Sequence, residues 1–394
     1  MRNSSIIGVF VFLSLNVSLL AQTETQERKV AAATRLDWAF AARGFPIKDT
    51  KLPASYDSTK QKYQLYVPKG YIKEKPAALV LFISAGDAPT GWSNWRKSCE
   101  TEGAFFACAY GAGNTTPAGQ RIRIILDVLD DVRRAYQIDA DQTVITGFSG
   151  GGRMACAIGF ALPEYFGGVV PLCGTNPIPG PAWQRHLVEE RLSVAFVTGE
   201  KDMNRKENEG YMYPWFQEIG VRSKLWVMPN MGHVIPPAAT VNEVHAWIAE
   251  DLKRRRDAAK ARPKLAVGPD DAPGANELSK RYFEAALDDL NEPARTWRGV
   301  ALLQGVGQRW PKSEAASRAG DALKKISDDE KALDRIEMQG TADEVKSISA
   351  QAKALERFGN LPKAIEAWEL LAKNYQGTPA GNTANANIKR LRAK

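Results

Sequence analysis

Histidine is scarce in this chain: His186, His233 and His245 are the only three among 394 residues. A reaction that needs an imidazole base therefore has three candidates, and a histidine-rich metal centre is excluded. The four cysteines, Cys99, Cys108, Cys156 and Cys173, form neither a C-x-x-C pair nor a Cys/His cluster, which excludes the usual structural zinc spacings. No metal and no cofactor is expected. No G-x-x-x-x-G-K-[ST] or G-x-G-x-x-G spacing occurs, so the two common signatures of a phosphate-cradling loop are missing. Beyond the first twenty residues no apolar run approaches the ~20 residues that a membrane span requires.

What is present is a globular composition, 44% hydrophobic and 25% charged, in a length that suggests two domains. Met1-Arg2-Asn3, the largely apolar residues 6–20 and Ala21-Gln22 read as a secretory signal peptide over 1–21. The expected location is secreted or periplasmic, with no transmembrane segment after signal cleavage. In an oxidising compartment the expected disulfides join Cys99 to Cys108 and Cys156 to Cys173, because in each pair a helix cysteine precedes a strand cysteine of one αβ unit. Four buried free thiols are the alternative.

The most informative stretch is Gly147-Phe148-Ser149-Gly150-Gly151-Gly152. It follows the apolar Val144-Ile145-Thr146 and opens a helical pattern from Arg153 to Phe160. A G-x-S-x-G between strand and helix reads as a nucleophile elbow, with glycines where strand and helix come too close for a β-carbon. Ser149 is the proposed nucleophile; a phosphate-cradling turn is the competing reading. Two later buried strands, Ser193 to Thr198 and Lys224 to Met228, end in Gly199-Glu200-Lys201-Asp202 and Pro229-Asn230-Met231-Gly232-His233. This puts Asp202 and His233 after Ser149 in the order acid, then base. Glu200 shares the loop with Asp202 and is the alternative acid. His245 lies in a helical pattern and reads as structural, while His186 is either structural or a substrate contact. The oxyanion hole is expected from the Gly150 N–H and one N–H of the Ser84-Ala85-Gly86-Asp87 loop, either Ala85 or Gly86. Trp92, Trp95 and Phe148 are candidate substrate contacts, the tryptophans alternatively capping a helix against the sheet.

On Tyr63 to Pro68, Ile138 to Gly152 and Gly167 to Gly174, residues 60–250 resemble the secreted α/β-hydrolase esterases grouped with polyhydroxybutyrate depolymerases, feruloyl esterases and acetylxylan esterases. The resemblance implies a mostly parallel sheet flanked by helices. It also implies ester hydrolysis through an acyl-enzyme, with Ser149 attacking, His233 moving the proton and Asp202 orienting His233. Ser84-Ala85 departs from the usual His-Gly of that group.

The catalytic domain is expected over 56–252, after an N-terminal segment over 22–55. Residues 253–264 then carry seven basic residues against one acid, read as part of a solvated linker over 253–275, or as a contact for an anionic polymer. Pro273 and Gly274 suggest a hinge. From 276 to 394 the pattern is helical, and Trp310-Pro311 with Ala319 to Ile326 aligns with Tyr375-Gln376 and Ala384 to Leu391 at an offset of 65 residues. Ala364 to Tyr375 resembles tetratricopeptide-type repeats, so a small all-α region is expected, either a module for a protein or polymer partner or a four-helix structural cap. The reading is an exported serine esterase acting on an ester substrate, polymeric ones included, without nucleic acid. The alternatives are a serine peptidase of the prolyl-oligopeptidase kind and a non-catalytic binding protein on the same scaffold.

Overall fold

The structure is a computed structural model that describes residues 24–43, 52–269 and 271–393; the expected signal peptide lies outside them. Among the described residues, the strands are β1 (Gln26–Lys29), β2 (Lys62–Tyr66), β3 (Ala77–Ile83), β4 (Phe105–Ala109), β5 (Ile138–Phe148), β6 (Gly168–Leu172), β7 (Ser193–Gly199) and β8 (Arg222–Met228). They form one sheet in the order β1-β2-β4-β3-β5-β6-β7-β8. β2 runs antiparallel to both its neighbours, and every pair from β4 to β8 is parallel. The crossovers carry α1 (Trp38–Arg43), α2 (Trp92–Glu102), α3 (Ala118–Ala135), α4 (Gly150–Ala161), α5 (Ala182–Arg191), α6 (Tyr213–Ile219) and α7 (Ala238–Ala249). This is the α/β-hydrolase fold.

Strand chemistry explains the layering. β3 and β7 read as nearly unbroken apolar runs because both faces of a parallel sheet are covered. Along β3 the side chains alternate: Leu79, Leu81 and Ile83 enter one core layer with α3, α4 and α6, while Ala78, Val80 and Phe82 enter the other with α2 and α7.

The N-terminal segment belongs to this body. β1 adds an edge strand, and three buried aspartates of α3 capture the chain that follows. The N–H groups of Ala31, Thr34 and Arg35 donate to Asp131, Asp127 and Asp130, each at 2.7 Å. The Tyr56 and Tyr63 hydroxyls donate to Asp127 and Asp131, also at 2.7 Å. The buried carboxylates are thereby satisfied, which is the condition for burying them at all.

The remainder is helical: α8 (Leu252–Ala261), α9 (Ala275–Leu290), α10 (Thr296–Arg309), α11 (Glu314–Ile326), α12 (Glu330–Phe358), α13 (Leu361–Asn374) and α14 (Pro379–Arg392). The 65-residue offset is structural, since α13 begins at 361 where α10 begins at 296, and α14 at 379 where α11 begins at 314. Trp310 and Tyr375 both cap the first helix of their pair. Two apolar clusters result, one within α9–α11 and one within α12–α14.

The expected solvated linker is corrected over 253–264 by the charges themselves. Six of the seven basic residues over 253–264 meet acids: Lys253 meets Asp257, Arg254 and Arg255 meet Asp251, Arg256 meets Asp139, Arg262 meets Glu190 and Asp289, and Lys264 meets Asp288. Arg255 is 1% exposed and also donates to the Asp141 and Ile248 carbonyls. The segment is a docked helix, because Arg256, Arg262 and Lys264 find their acids on elements distant in sequence and Arg255 is buried. Beyond it, Arg309 of α10 is fully buried against Glu164 at 2.7 Å and Asp37 at 3.2 Å, with the Tyr282 hydroxyl donating to Glu164. Trp183 of α5 joins the α9–α11 core, and Ala350 and Ala354 of α12 join the layer beside α6. The helical region therefore shares its interior with the hydrolase body. All four cysteines are free and buried, so the expected disulfides do not form and the alternative of packed thiols describes them. Among the described residues no helix is long and apolar enough to cross a membrane.

Arg309→Met should lower stability by about 3–5 kcal/mol, since it strands a buried Glu164. Arg309→Met with Glu164→Gln should recover part of that loss. Urea unfolding measures both; a single variant within 1 kcal/mol of the parent would mean the pair does not bind the two regions together.

Candidate active site

β5 delivers Ser149 at its carboxyl end, and α4 starts on the next residue. A β-carbon on Gly151 would lie 2.0 Å from the Ile83 carbonyl oxygen, and one on Gly147 would lie 2.5 Å from the Gly151 carbonyl carbon. Only glycine permits this approach. Ser149 between them takes φ 56° and ψ −119°, a left-handed backbone that a side chain adopts at a cost. Its N–H donates to the Leu172 carbonyl at 2.8 Å, which fixes the turn against β6.

The loop after β7 brings in Asp202, and the loop after β8 brings in His233. His233 Nε2 lies 2.9 Å from Ser149 Oγ, and His233 Nδ1 lies 2.8 Å from Asp202 Oδ1. Thr198 Oγ1 donates to Asp202 Oδ2 at 2.7 Å, and the Asn204 N–H donates to Oδ1 at 3.0 Å. Burial opposes the charge on Asp202, but the hydrogen bonds from Asn204, His233 and Thr198 outweigh it and hold the carboxyl below its ordinary range. An anionic Asp202 places the ring proton on Nδ1, leaving the Nε2 lone pair toward Ser149. Glu200 is placed elsewhere: it is exposed and accepts the Asn230 N–H at 2.9 Å, in the turn before the histidine. The histidine loop is further tied to α2 by Asn94 Nδ2, which donates to the Pro236 carbonyl at 2.9 Å.

Two residues went unnoticed in the sequence, Asn114 and Arg121. Arg121, 4% exposed, donates from Nη2 to the Ser84 carbonyl at 2.8 Å, from Nη1 to Asn114 Oδ1 at 3.0 Å and from Nε to the Ala112 carbonyl. The Asn114 N–H donates to the Ala85 carbonyl at 2.8 Å, and the Gly113 N–H to Asp87 Oδ1 at 3.1 Å. A β-carbon on Gly150 would lie 2.1 Å from Asn114 Oδ1. One buried guanidinium thus straps the Ser84–Asp87 loop to the loop that touches the elbow, and these straps use neither the Ala85 nor the Gly86 N–H. Nothing in the sequence marks Arg121, which sits in a helix whose charged residues look like a solvated face.

The aromatic candidates divide. Phe148 is half-buried with its ring 4.9 Å from that of His233. Trp92 packs on Tyr66 and Phe106 and donates to Glu24. Trp95 is wholly buried edge-on against His245, so it offers no surface to a substrate: α2 turns it into the core beneath the sheet. His186 is buried, with Nε2 3.3 Å from Asp343 of α12, and so serves the contact with the helical region. His245 is buried on α7, with Nδ1 2.6 Å from Ser98 Oγ.

No protein-family model matches the chain, and no curated protein matches it. Solved structures overlap about half of it. An S-formylglutathione hydrolase from Staphylococcus aureus is 14% identical over 50% of this chain and 94% of its own, with a TM-score of 0.39. Est1E from Butyrivibrio proteoclasticus is 16% identical over 50% and 97%, at 0.38. A ferulic acid esterase is 14% identical over 49% and 93%, at 0.40. The fold assignment rests on the strand order and not on these overlaps.

Burial pushes the His245 imidazole down to about 4. Above pH 6.5 both folded and unfolded chains hold it neutral; as pH falls from 6.5 to 4 only the unfolded chain takes the proton, so stability is lost over that window, by about 3 kcal/mol at most. His245→Gln should flatten this part of the pH–stability curve. The His245 ring proton resonances should stay unshifted above pH 5, and a midpoint near 6.5 would contradict the burial argument.

Proposed function

We propose that this chain is a serine esterase that hydrolyses carboxylic esters through an acyl-enzyme. The observation that carries the reading is the unbroken chain from Ser149 Oγ through His233 to Asp202. Ser149 Oγ attacks the ester carbonyl as His233 Nε2 takes its proton, and Asp202 holds the imidazole in orientation and balances its charge. The same Nε2 returns the proton to the departing alcohol, and water repeats the sequence on the acyl-enzyme. The oxyanion hole is assigned to the Gly150 N–H with that of Ala85 or Gly86. Arg121 and Asn114 support this assignment as positioning residues, because they fix the second loop relative to the elbow. Phe148 and Trp92 are retained as candidate substrate contacts. Met203 at 79% and Val234 at 53% exposure flank the acid and base, an open apolar rim that suits an ester carried on a large or polymeric substrate. Export to a secreted or periplasmic location is part of the same proposal, as is a protein or polymer partner for the helical region.

Ser149→Ala and His233→Ala should each lower kcat/KM for a short p-nitrophenyl ester by a factor on the order of 10⁴ or more. Asp202→Asn should be severe and Glu200→Gln mild, and EDTA should leave the rate unchanged. Hydrolysis abolished by EDTA yet indifferent to Ser149→Ala would falsify the reading.

Arg121→Met should lower kcat at least tenfold with KM little changed, as expected for a group that acts through transition-state donors. Arg121→Lys should recover part of the rate. A rise in KM alone would assign Arg121 to substrate binding instead.

A further inference from the structure

Ester hydrolysis through Ser149 makes no use of a thiol, yet one of the four stands beside the acid and base. Cys173 follows β6, and its backbone takes φ 58°, a left-handed conformation unusual for a residue with a β-carbon. Its N–H donates to the Val197 carbonyl at 2.8 Å, and its carbonyl accepts from Asn204 Nδ2 at 2.8 Å. The turn is therefore held from both sides. Sγ lies 3.4 Å from the Val234 carbonyl, directly under the histidine turn. One donor atom each from Cys173, Asp202 and His233 all fall within 4.8 Å of one another, the one group of this kind among the described residues. Cys99 and Cys108, by contrast, pack in the core with α2 and the sheet, and Cys156 faces Thr175 Oγ1.

We propose that Cys173, Asp202 and His233 form an inhibitory site for a thiophilic divalent cation of the zinc type. A thiolate, an imidazole and a carboxylate are three donors that zinc accepts together, at about 2.3 Å to sulfur and about 2.0–2.2 Å to nitrogen and oxygen, with a fourth position left for water. Tetrahedral bonds of those lengths separate the donors by roughly 3.2–3.8 Å. The Asp202–His233 pair at 2.8 Å must open by less than an ångström, and the sulfur already lies within 4.8 Å of both partners. Full burial of Cys173 disfavours bulky alkylating agents, but a small cation passes more easily, and Met203 and Val234, neighbours of the acid and base in sequence, are exposed.

The proton balance makes the site inhibitory. His233 faces Asp202 through Nδ1, so Nδ1 is the nitrogen the cation takes. Its proton leaves, the ring regains one at Nε2 from solvent, and the thiol loses its own, for a net release of one proton per cation bound. Nε2 then carries a hydrogen toward Ser149 Oγ and has no lone pair with which to accept the serine proton. The cation removes the base without entering the substrate's place, so kcat falls and KM changes little. This consequence rests on the reading of His233 as the base of the esterase; occupancy of the site does not.

Two measurements separate the claims. Co2+ titrated into the full chain should produce a thiolate-to-cobalt charge-transfer band in the near ultraviolet, in wild type and in Ser149→Ala alike. The band should vanish in Cys173→Ser, and in Cys173→Gly, which suits the left-handed backbone if the serine variant folds poorly. Zn2+ should inhibit p-nitrophenyl ester hydrolysis, and each cysteine variant, measured against its own metal-free rate, should need at least tenfold more Zn2+ for half-inhibition. Absence of the band, or a band that persists in both cysteine variants, overturns the site. A Cys173-dependent band without inhibition of an active enzyme overturns the inhibitory role. A chain that binds Co2+ through Cys173 but hydrolyses no ester without metal overturns the esterase reading and leaves the cation site standing.

Discussion

The close approach of β5 to α4 at Gly147 and Gly151 is the constraint on which the rest of the site depends. With β-carbons excluded at Gly151 and Gly147 by backbone atoms 2.0 and 2.5 Å away, the chain turns sharply enough to put Ser149 in a left-handed conformation above the sheet. The serine hydroxyl meets His233 Nε2 there at 2.9 Å, and the loops after β7 and β8 converge on it. Because those strands are adjacent in the sheet, their carboxyl ends lie side by side and two short loops suffice to line up an acid and an imidazole. Sheets of this kind bind ligands outside the carboxyl ends of their strands for the same reason.

What steadies these loops is buried charge in closed arrangements. Asp202 is held by a threonine hydroxyl, a backbone N–H and the imidazole, and the Ser84–Asp87 loop is held through Arg121. At larger scale the three aspartates of α3 hold the N-terminal segment, and Arg309 with Glu164 joins the helical region to the body. In each case a charge leaves water only where several hydrogen-bond partners wait, so these contacts specify arrangement more than they add net stability. The Cys173 thiol, which donates to the Val234 carbonyl at 3.4 Å, stands with its sulfur within 4.8 Å of donor atoms of Asp202 and His233, and a cation of the proposed kind would join the three.

The architecture was legible in the sequence where the signal was local. The elbow glycines, the apolar runs of β3 and β7, the residues that close the strands before Asp202 and His233, and the 65-residue offset of the helical pairs can all be read along the chain. The placement of Asp202 against His233 and of Glu200 against Asn230 could not, because both acids sit within three residues on one loop. Contacts distant in sequence were the illegible part. The basic run from Lys253 looks solvated in isolation, since its acids at Asp139, Glu190 and Asp289 lie dozens of residues away. Trp95 looks like a pocket wall beside the Ser84–Asp87 loop until the face of α2 is known. Arg121 and Cys173 carry no motif, and only the folded chain brings them to the site.

Reaction with an organophosphonate ester, followed by intact mass and peptide mapping, tests the central claim most directly. The account predicts one phosphonyl group per chain, bonded to Ser149 Oγ, at a rate that collapses when His233 is replaced although the serine itself is untouched. Label on any other residue, or labelling of Ser149 that is indifferent to loss of His233, would contradict the coupling of elbow, base and acid on which the account is built.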